Sequence, residues 1–281
     1  MQAIKQALEN TQHQLAAIST TALLDAEILL AHVLNVQRGY LYTYPERTLS
    51  PEEQNQFNDL INKRIQGQPI PYLTGHCEFW SLDLIVTPDT LIPRPETELL
   101  VELILELPNI PDLQVADLGT GSGAIALALA HERPQWTIYA TDLSTAALNV
   151  AKMNAERLQI NTIIFCQGAW CGALPKSQFD IIVSNPPYVA KDDPFLQASV
   201  LTTEPISALI AEEQGLNDIY HIIDEARYYL KPRGCLLLEH GFSQAQAVQH
   251  KFLELGYTDV KSKRDFSGLN RVTTGFFDIY S

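Results

Sequence analysis

The sequence lacks the features that would mark a membrane or secreted protein. Its 281 residues contain no apolar run close to the roughly 18 residues that a membrane-spanning helix needs. The opening residues, MQAIKQALEN, contain no apolar core of the kind found in signal peptides. We therefore expect a cytoplasmic protein that does not contact a membrane.

Cysteine is scarce and is not patterned. The four cysteines form no C-x-x-C pair, and no histidines stand beside them at a metal-ligand spacing. These residues are Cys77, Cys166, Cys171 and Cys235. The pattern favours reduced thiols in a cytosolic protein, and it predicts no metal site.

Basic residues are also few. The chain has 19 lysines and arginines against 33 aspartates and glutamates, which gives a formal net charge of −14. Such a chain repels the phosphate backbone of DNA and RNA. We therefore expect no direct nucleic-acid partner.

The first quarter of the chain has helical patterns and no visible chemistry. Apolar residues three and four apart predict a helix over Thr21–Asn35. Ser50, followed by Pro51 and by Glu53, predicts another helix that begins with a capping box. We assign residues 1–75 to an N-terminal helical domain.

The rest of the chain alternates between strand and helix patterns. Aromatic and β-branched residues predict a linking β-hairpin over residues 76–92. From residue 93 the alternation predicts an α/β fold, a Rossmann-like and mostly parallel doubly wound sheet. The last two strand patterns predict an antiparallel hairpin across Ser267–Asn270. Residues 93–281 therefore form the predicted catalytic domain.

A glycine-rich turn follows the first strand pattern of this region. The sequence ADLGTGSGA lets the backbone approach a ligand closely, and a helix follows it directly. Asp142 ends the next strand pattern, where a carboxylate accepts hydrogen bonds from the hydroxyls of a ribose. Together these features predict a site for a ligand that contains a nucleoside.

The turn by itself leaves two cofactor classes open. Gly119, Gly121 and Ala124 satisfy the G-x-G-x-x-G/A fingerprint of dinucleotide-binding proteins, which would suit a NAD-dependent oxidoreductase. Asp117 before the turn and the additional Gly123 favour S-adenosylmethionine instead. The charged amino-acid end of that cofactor needs polar partners rather than a cradle for pyrophosphate.

The tetrapeptide Asn185-Pro186-Pro187-Tyr188 ends a later strand pattern, FDIIVS. In a parallel sheet it lies at the same edge as the glycine turn and Asp142. The Asn185 side-chain oxygen and the Pro186 carbonyl can accept both hydrogens of an NH₂ group, and Tyr188 offers a face for stacking. We interpret the tetrapeptide as a clamp for a planar NH₂-bearing group.

Longer motifs carry a resemblance to a known family. The sequences IPRPETE, DLGTGSG, NPPYV, EP at Glu204-Pro205, LLLEHG and DFSGLNR resemble the release factor glutamine methyltransferases (HemK/PrmC). The resemblance covers nearly the whole chain. It implies a class I methyltransferase fold and transfer of a methyl group from S-adenosylmethionine to the amide nitrogen (N5) of a protein glutamine. In that family the target is the Gly-Gly-Gln motif of class 1 peptide chain release factors.

The resemblance also implies roles for particular residues. Those implied to bind the cofactor are Gly119, Thr120, Gly121, Ser122, Gly123, Asp142, Trp170 and Asn185. Those implied to hold the glutamine are Asn185, Pro186, Pro187 and Tyr188, of which Asn185, Pro186 and Tyr188 are the catalytic set. The N-terminal helical domain is implied to grip the release factor. One departure is Ala169, where the family usually has an acidic residue that would accept from the adenine amine.

Other functions fit parts of this pattern. A glutamine methyltransferase for a large-subunit ribosomal protein would use the same clamp. An adenine-N6 DNA methyltransferase would use a similar one, but the net charge counts against it. A NAD-dependent oxidoreductase leaves the tetrapeptide unexplained, and a non-enzymatic adaptor leaves the combined site unexplained.

Overall fold

The computed structural model describes residues 2–108, 110–176, 178–192 and 203–278. The chain divides into two compact units, residues 1–76 and residues 77–281. Within the described ranges, none of the helices combines the length and the apolar character needed to cross a membrane.

The first unit is built from helices. They are α1 (Ile4–Leu15), α2 (Ala22–Leu34), α3 (Arg38–Thr43), α4 (Pro51–Ile65) and α5 (Ile70–Thr74). Their apolar faces meet in one core, in which Ile4, Leu29 and Phe57 are almost fully buried. Burial of each such side chain stabilises the folded state by about 1.5–3 kcal/mol, so this core holds the short helices together.

The start of α4 confirms the predicted capping box. The Ser50 hydroxyl accepts a hydrogen bond from the Glu53 amide at 3.2 Å, and the Glu53 carboxylate accepts one from the Ser50 amide at 2.8 Å. Pro51 occupies the first turn, where its missing N–H has no cost. The helix ends near Gly67, which has a left-handed φ of 94°.

The second unit alternates strands and helices, as the sequence predicts. Its strands are β1 (His76–Phe79), β2 (Leu82–Ile85), β3 (Gln114–Leu118), β4 (Thr137–Asp142), β5 (Ile163–Gln167), β6 (Phe179–Ser184), β7 (Val189–Ala190), β8 (Ile210–Ala211), β9 (Leu230–Glu239), β10 (Tyr257–Arg264) and β11 (Asn270–Phe277). Its helices are α6 (Glu98–Leu105), α7 (Ala124–Glu132), α8 (Thr145–Arg157), α9 (Asn217–Ala226) and α10 (Ala245–Glu254). Short 3₁₀ turns span Pro95–Thr97, Trp170–Ala173 and Ile206–Ala208.

The main sheet has seven strands in the order β10-β11-β9-β6-β3-β4-β5. Strands β9, β6, β3, β4 and β5 pair in parallel, whereas β11 runs antiparallel to both β9 and β10. The predicted sheet, with its antiparallel hairpin at the end of the chain, is therefore confirmed.

Helices cover both faces of this sheet because its strands are apolar on both sides. Ile181 and Val183 of β6 point into a core shared with α6 and α7. Ile182, between them, points into a second core shared with α9 and α10. A parallel sheet buried on both faces is the normal outcome of strand–helix alternation.

The parallel strands are in register at their carboxyl ends. Leu118 of β3 pairs with Thr141 of β4 and with Ser184 of β6. Ser184 in turn pairs with Leu238 of β9. The residue that follows each of these therefore lies at one edge of the sheet, where ligands bind in open α/β folds.

Asn154 of α8 fastens the glycine turn to the β-hairpin. Its side chain is fully buried. The amide nitrogen donates to the carbonyls of Ile85 and Ser122, both at 2.9 Å, and its oxygen accepts from the Ile85 amide at 2.7 Å. One side chain thus satisfies three backbone groups that are otherwise hidden from water.

We expect Asn154→Ala to destabilise the second unit strongly. It leaves three backbone groups without partners, and each such group costs about 1–3 kcal/mol, so a total loss of about 2–4 kcal/mol follows after partial relaxation. Urea denaturation measures the loss. The control is Asn149→Ala, which removes an exposed asparagine from the same helix and should change stability by less than about 0.5 kcal/mol. Equal effects of the two changes would contradict the fastening role.

Candidate active site

A cavity of about 600 Å³ opens at the carboxyl edge of the parallel strands. This size lies within the usual range for small-molecule sites. Its walls include six predicted site residues, which lie at or after the carboxyl ends of four strands. These residues are Gly119, Gly121, Asp142, Trp170, Asn185 and Pro187.

The glycine turn supplies the floor of the cavity. Gly119 adopts a left-handed φ of 71°, and a Cβ atom placed there would lie 3.2 Å from the ring of Trp170. The indole therefore packs against bare backbone. A side chain at residue 119 would push the ring from its place on the cavity wall.

The other predicted residues of the turn, Thr120, Ser122 and Gly123, lie on the side of the turn that faces away from the cavity. Thr120 and Ser122 are buried and, like Gly123, are not among the residues that line the cavity. A Cβ atom at Gly123 would lie 2.9 Å from the side chain of Leu127, so the glycine permits close packing of the helix. Direct contact of these three residues with a cofactor stays a prediction.

Asp142 holds the turn with the same carboxylate that faces the cavity. Its Oδ2 accepts from the Gly121 amide at 2.9 Å, and its Oδ1 accepts from the Ser144 amide at 2.8 Å. A carboxylate has about four acceptor positions, so each oxygen retains capacity for a further donor.

Asn185 is fixed by a hydrogen bond across the sheet edge. Its Nδ2 donates to Thr97 Oγ1 at 3.0 Å, and Thr97 is buried. Among the described residues, none donates to Asn185 Oδ1 or to the Pro186 carbonyl oxygen. The amide is therefore oriented with one of its two N–H groups bonded to Thr97 and with its oxygen available as an acceptor.

The remaining clamp residues differ in their exposure to the cavity. Pro187 lines it, whereas Pro186 is buried and Tyr188 is partly buried against the second core. The Tyr188 hydroxyl donates to Glu239 Oε1 at 3.0 Å. Burial raises the pKa of this phenol well above its ordinary value, so Tyr188 remains protonated.

The backbone of Tyr188 is held as firmly as its side chain. Gln244 Nε2 donates to the Tyr188 carbonyl at 3.0 Å. Gly215, with a left-handed φ of 83°, approaches the same carbonyl so closely that a Cβ atom would lie 2.1 Å from its oxygen. Residue 215 must therefore be glycine for the clamp to keep this position.

Glu239 stands behind the clamp. It is fully buried at the end of β9. Its Oε1 accepts from the Tyr188 hydroxyl at 3.0 Å, and its Oε2 is buried without a partner among the described residues. Burial raises the pKa of Glu239 to about 7, and the neighbouring hydroxyls of Thr97 and Tyr188 and the charge of Arg271 oppose the rise. The carboxyl thus holds the phenol of Tyr188 in place.

Known proteins resemble both parts of the chain. A family described as the PrmC N-terminal domain matches residues 6–75, and one described as the methyltransferase small domain matches residues 95–202. A release factor glutamine methyltransferase of Coxiella burnetii is 49% identical over 97% of this chain and 98% of its own length. One of Salmonella typhimurium is 50% identical over 90% and 91%. The chain belongs to the release factor glutamine methyltransferase family. This confirms the resemblance inferred from the sequence motifs.

Solved structures agree on the fold of this family member. A methyltransferase of Pyrococcus furiosus, 20% identical, has a TM-score of 0.55 and covers 80% of this chain and 99% of that chain. A ribosomal protein L11 methylase of Lactobacillus delbrueckii, also 20% identical, has a TM-score of 0.52, with coverages of 69% and 84%. The predicted class I methyltransferase fold is thereby confirmed.

The departure from the family pattern lies on the cavity wall. Ala169 lines the cavity beside Trp170 and provides no acceptor at that place.

Sequence reasoning missed Thr97, Glu239 and Arg271 as members of the site. Each lies in a motif that carried the resemblance, respectively IPRPETE, LLLEHG and DFSGLNR. The motifs therefore included these three residues. Their contacts with the other site residues are visible only in the folded structure.

Asp117 is a buried carboxyl beneath the glycine turn. Its Oδ2 accepts from the Thr120 hydroxyl at 2.6 Å and from the Ala126 amide at 3.2 Å, while its Oδ1 is buried without a partner among the described residues. Burial raises the pKa of Asp117 to about 7, against the effect of those two hydrogen bonds. The folded protein therefore retains a proton that the unfolded chain releases near pH 4.

This raised pKa makes stability depend on pH. Since the folded state binds the proton more tightly, the contribution of Asp117 is fully present below its ordinary pKa and is lost as pH rises through about 7. Between pH 5 and pH 8 the loss is on the order of 2 kcal/mol. Asp117→Asn should flatten the fall in stability over this range. Thermal unfolding of both proteins at several pH values is the measurement, and parallel curves would exclude this assignment.

Proposed function

We propose that this chain transfers the methyl group of S-adenosylmethionine to the side-chain amide nitrogen (N5) of the glutamine in the Gly-Gly-Gln motif of class 1 peptide chain release factors. Membership of the family supports this activity. The main structural support for this activity is the hydrogen bonding of the clamp, Asn185-Pro186-Pro187-Tyr188. One N–H of the Asn185 amide donates to Thr97, while Asn185 Oδ1 and the Pro186 carbonyl have no donor from the described residues.

The residues present fit S-adenosylmethionine. The cavity has the volume of a nucleoside-sized site, and Gly121, with a left-handed φ of 57°, has open space where a Cβ atom would stand. Asp142 keeps acceptor capacity for ribose hydroxyls. The indole of Trp170 offers a flat apolar wall for adenine.

The clamp addresses the main chemical difficulty of the reaction. When bound, S-adenosylmethionine supplies a methyl group on a positively charged sulfur. An amide nitrogen is a poor nucleophile because its lone pair is delocalised into the carbonyl. Asn185 Oδ1 and the Pro186 carbonyl would accept the two N–H hydrogens and stabilise the positive charge that develops on the nitrogen as the methyl carbon leaves sulfur for nitrogen. The sulfur would depart as a neutral thioether, and one N–H hydrogen would be released as a proton.

The rigidity of the clamp makes this stabilisation effective. Consecutive prolines fix φ at two positions. Thr97 holds the Asn185 amide, and Gln244 holds the Tyr188 carbonyl. Acceptors that are already aligned need not reorganise when charge develops, so their effect on the transition state exceeds their effect on substrate binding.

We infer that the N-terminal helical unit recognises the release factor. It matches the PrmC N-terminal domain and leaves several apolar side chains exposed, including Leu23, Leu24, Tyr42 and Tyr44. An apolar surface of this kind suits binding of a folded protein better than binding of a nucleic acid.

Purified protein with isotopically labelled S-adenosylmethionine tests the proposed function. Release factor, ribosomal protein and DNA serve as parallel substrates, and peptide mass spectrometry locates the label. We expect one methyl group on the glutamine of the Gly-Gly-Gln motif. Label on ribosomal protein or on DNA alone would overturn the proposed substrate. Asn185→Ala should bind the cofactor normally and lose turnover by on the order of 10²-fold or more, since it removes an aligned acceptor.

Asp142→Asn should weaken cofactor binding by about tenfold, because it replaces one acceptor of a ribose hydroxyl with a donor. Calorimetry with S-adenosylhomocysteine measures the change. The control is the 2′,3′-dideoxy form of this ligand, which lacks the hydroxyls. It should bind both proteins equally if Asp142 acts on the ribose, and an equal loss for both ligands would mean that the variant only disturbs the turn.

A further inference from the structure

Asp218 is a carboxylate on the cavity wall to which the proposed function gives no role. It lies in the first turn of α9 and lines the cavity together with Ala169 and Trp170. The residue is partly buried, and none of the described residues donates a hydrogen bond to its side chain. An acceptor that faces a cavity without a donor from the protein is available to a ligand.

The other carboxylates on the cavity wall already have partners. Among the described residues, the three that line it are Asp89, Asp142 and Asp218. Asp142 accepts from the Gly121 amide and holds the glycine turn. Asp89 is exposed and accepts from the Thr87 hydroxyl at 3.2 Å. Asp218 therefore differs from both, because no described residue occupies its oxygens.

The packing of α9 shows where Asp218 lies in the cavity. This helix packs against the 3₁₀ turn Trp170–Ala173, which follows β5. Ile219 of α9 and Cys171 of the turn are buried in the same core, and the indole of Trp170 packs against that core. Asp218 immediately precedes Ile219, so it lies beside the turn that follows β5.

The order of the strands assigns this end of the cavity to the base of the cofactor. Strands β6, β3, β4 and β5 lie side by side, with the clamp after β6 and Asp142 at the end of β4. With the methyl group at the clamp and the ribose at Asp142, the rest of the nucleoside extends toward β5. There Trp170 provides a flat face for adenine, and the Ala169 side chain provides no acceptor for its amine.

We propose that Asp218 is a specificity residue for the cofactor: its carboxylate accepts a hydrogen bond from the exocyclic amine of adenine, at the wall where Ala169 has no acceptor. The inference rests on the proposed function and adds a contact with the base. An ionised carboxylate has no hydrogen to donate, so it favours an NH₂ group and repels a carbonyl oxygen. A purine that carries a carbonyl in place of the amine therefore binds weakly.

The surroundings of Asp218 leave its carboxylate short of partners. Burial raises the pKa of this carboxyl, the charge of His221 opposes the rise, and the charge of Glu212 adds to it. A hydrogen bond to the charged form offsets the cost of removing a carboxylate from water. The amine of a bound base supplies such a bond.

Two ligands that differ only in the base test the proposal without turnover. S-adenosylhomocysteine carries the exocyclic amine, whereas S-inosylhomocysteine carries a carbonyl in its place. Calorimetry with the full chain should show that the wild type binds the adenine ligand more tightly by on the order of 10- to 10²-fold, the usual effect of one hydrogen bond to a charged group. Equal affinities of the wild type for the two ligands would overturn the proposal.

Asp218→Asn replaces the carboxylate with an amide that accepts from the amine or donates to the carbonyl. We expect it to bind S-adenosylhomocysteine about tenfold more weakly and S-inosylhomocysteine more tightly, so that the ratio of the two affinities falls to about one. Asp218→Ala removes both the acceptor and the repulsion, and it should lower the ratio in the same way. A ratio that stays at the wild-type value in both variants would rule out the contact.

Glu212→Gln is the matched control. Glu212 is exposed beside β8, adds negative charge near Asp218 and is not among the residues that line the cavity. Its substitution removes the same charge as Asp218→Asn, and it should leave the ratio of affinities unchanged. A fall in the ratio as large as that of Asp218→Asn would mean that the local charge, and not a contact with the base, sets the preference.

Failure of the proposed function would give a different result. A wild type that methylates no glutamine but prefers the adenine ligand, with the preference lost in Asp218→Asn, would refute the proposed activity and support the role of Asp218. A wild type that methylates the glutamine but binds both ligands equally would refute the role of Asp218 alone. Failure of the wild type to bind either ligand would refute both.

Discussion

The register of the parallel strands is the constraint on which the site depends. Leu118, Thr141, Ser184 and Leu238 form one row across the sheet. The next residue on each strand is Gly119, Asp142, Asn185 or Glu239, and each has a part in the site. A shift of one residue in any strand would turn its side chain to the other face of the sheet. The cores above and below the sheet therefore fix the register and place the chemical groups.

Much of this arrangement could be predicted from the sequence because it depends on local patterns. Strand–helix alternation predicted the sheet, and the turn after β3 and the acid at the end of β4 predicted a cavity at its edge. Asn185 and Pro187 were placed correctly at the same edge because they follow a strand. The capping box of α4 was equally visible, since its two partners are three residues apart.

The remaining contacts could not be predicted in this way because they join distant parts of the chain. Thr97 meets Asn185 across 88 positions, and Tyr188 meets Glu239 across 51. No periodicity or spacing relates such pairs. The short parallel ladder between β7 and β8 was missed for a similar reason, since each strand has two residues and too few for a pattern. The roles predicted for Thr120, Ser122 and Gly123 stay predictions, although the structure places these residues behind the turn.

The contact between Gly215 and Tyr188 limits how the site can be redesigned. The clamp packs against the backbone at Gly215 rather than against a side chain, and a substitution cannot make that backbone smaller. A larger acceptor group could be admitted only if the whole segment between β8 and α9 were rebuilt. The walls formed by Ala169 and Leu91 are different, since they are side chains of modest size at the cavity. Changes of cofactor selectivity are therefore open to point mutation, whereas changes at the methyl acceptor require remodelling of the chain.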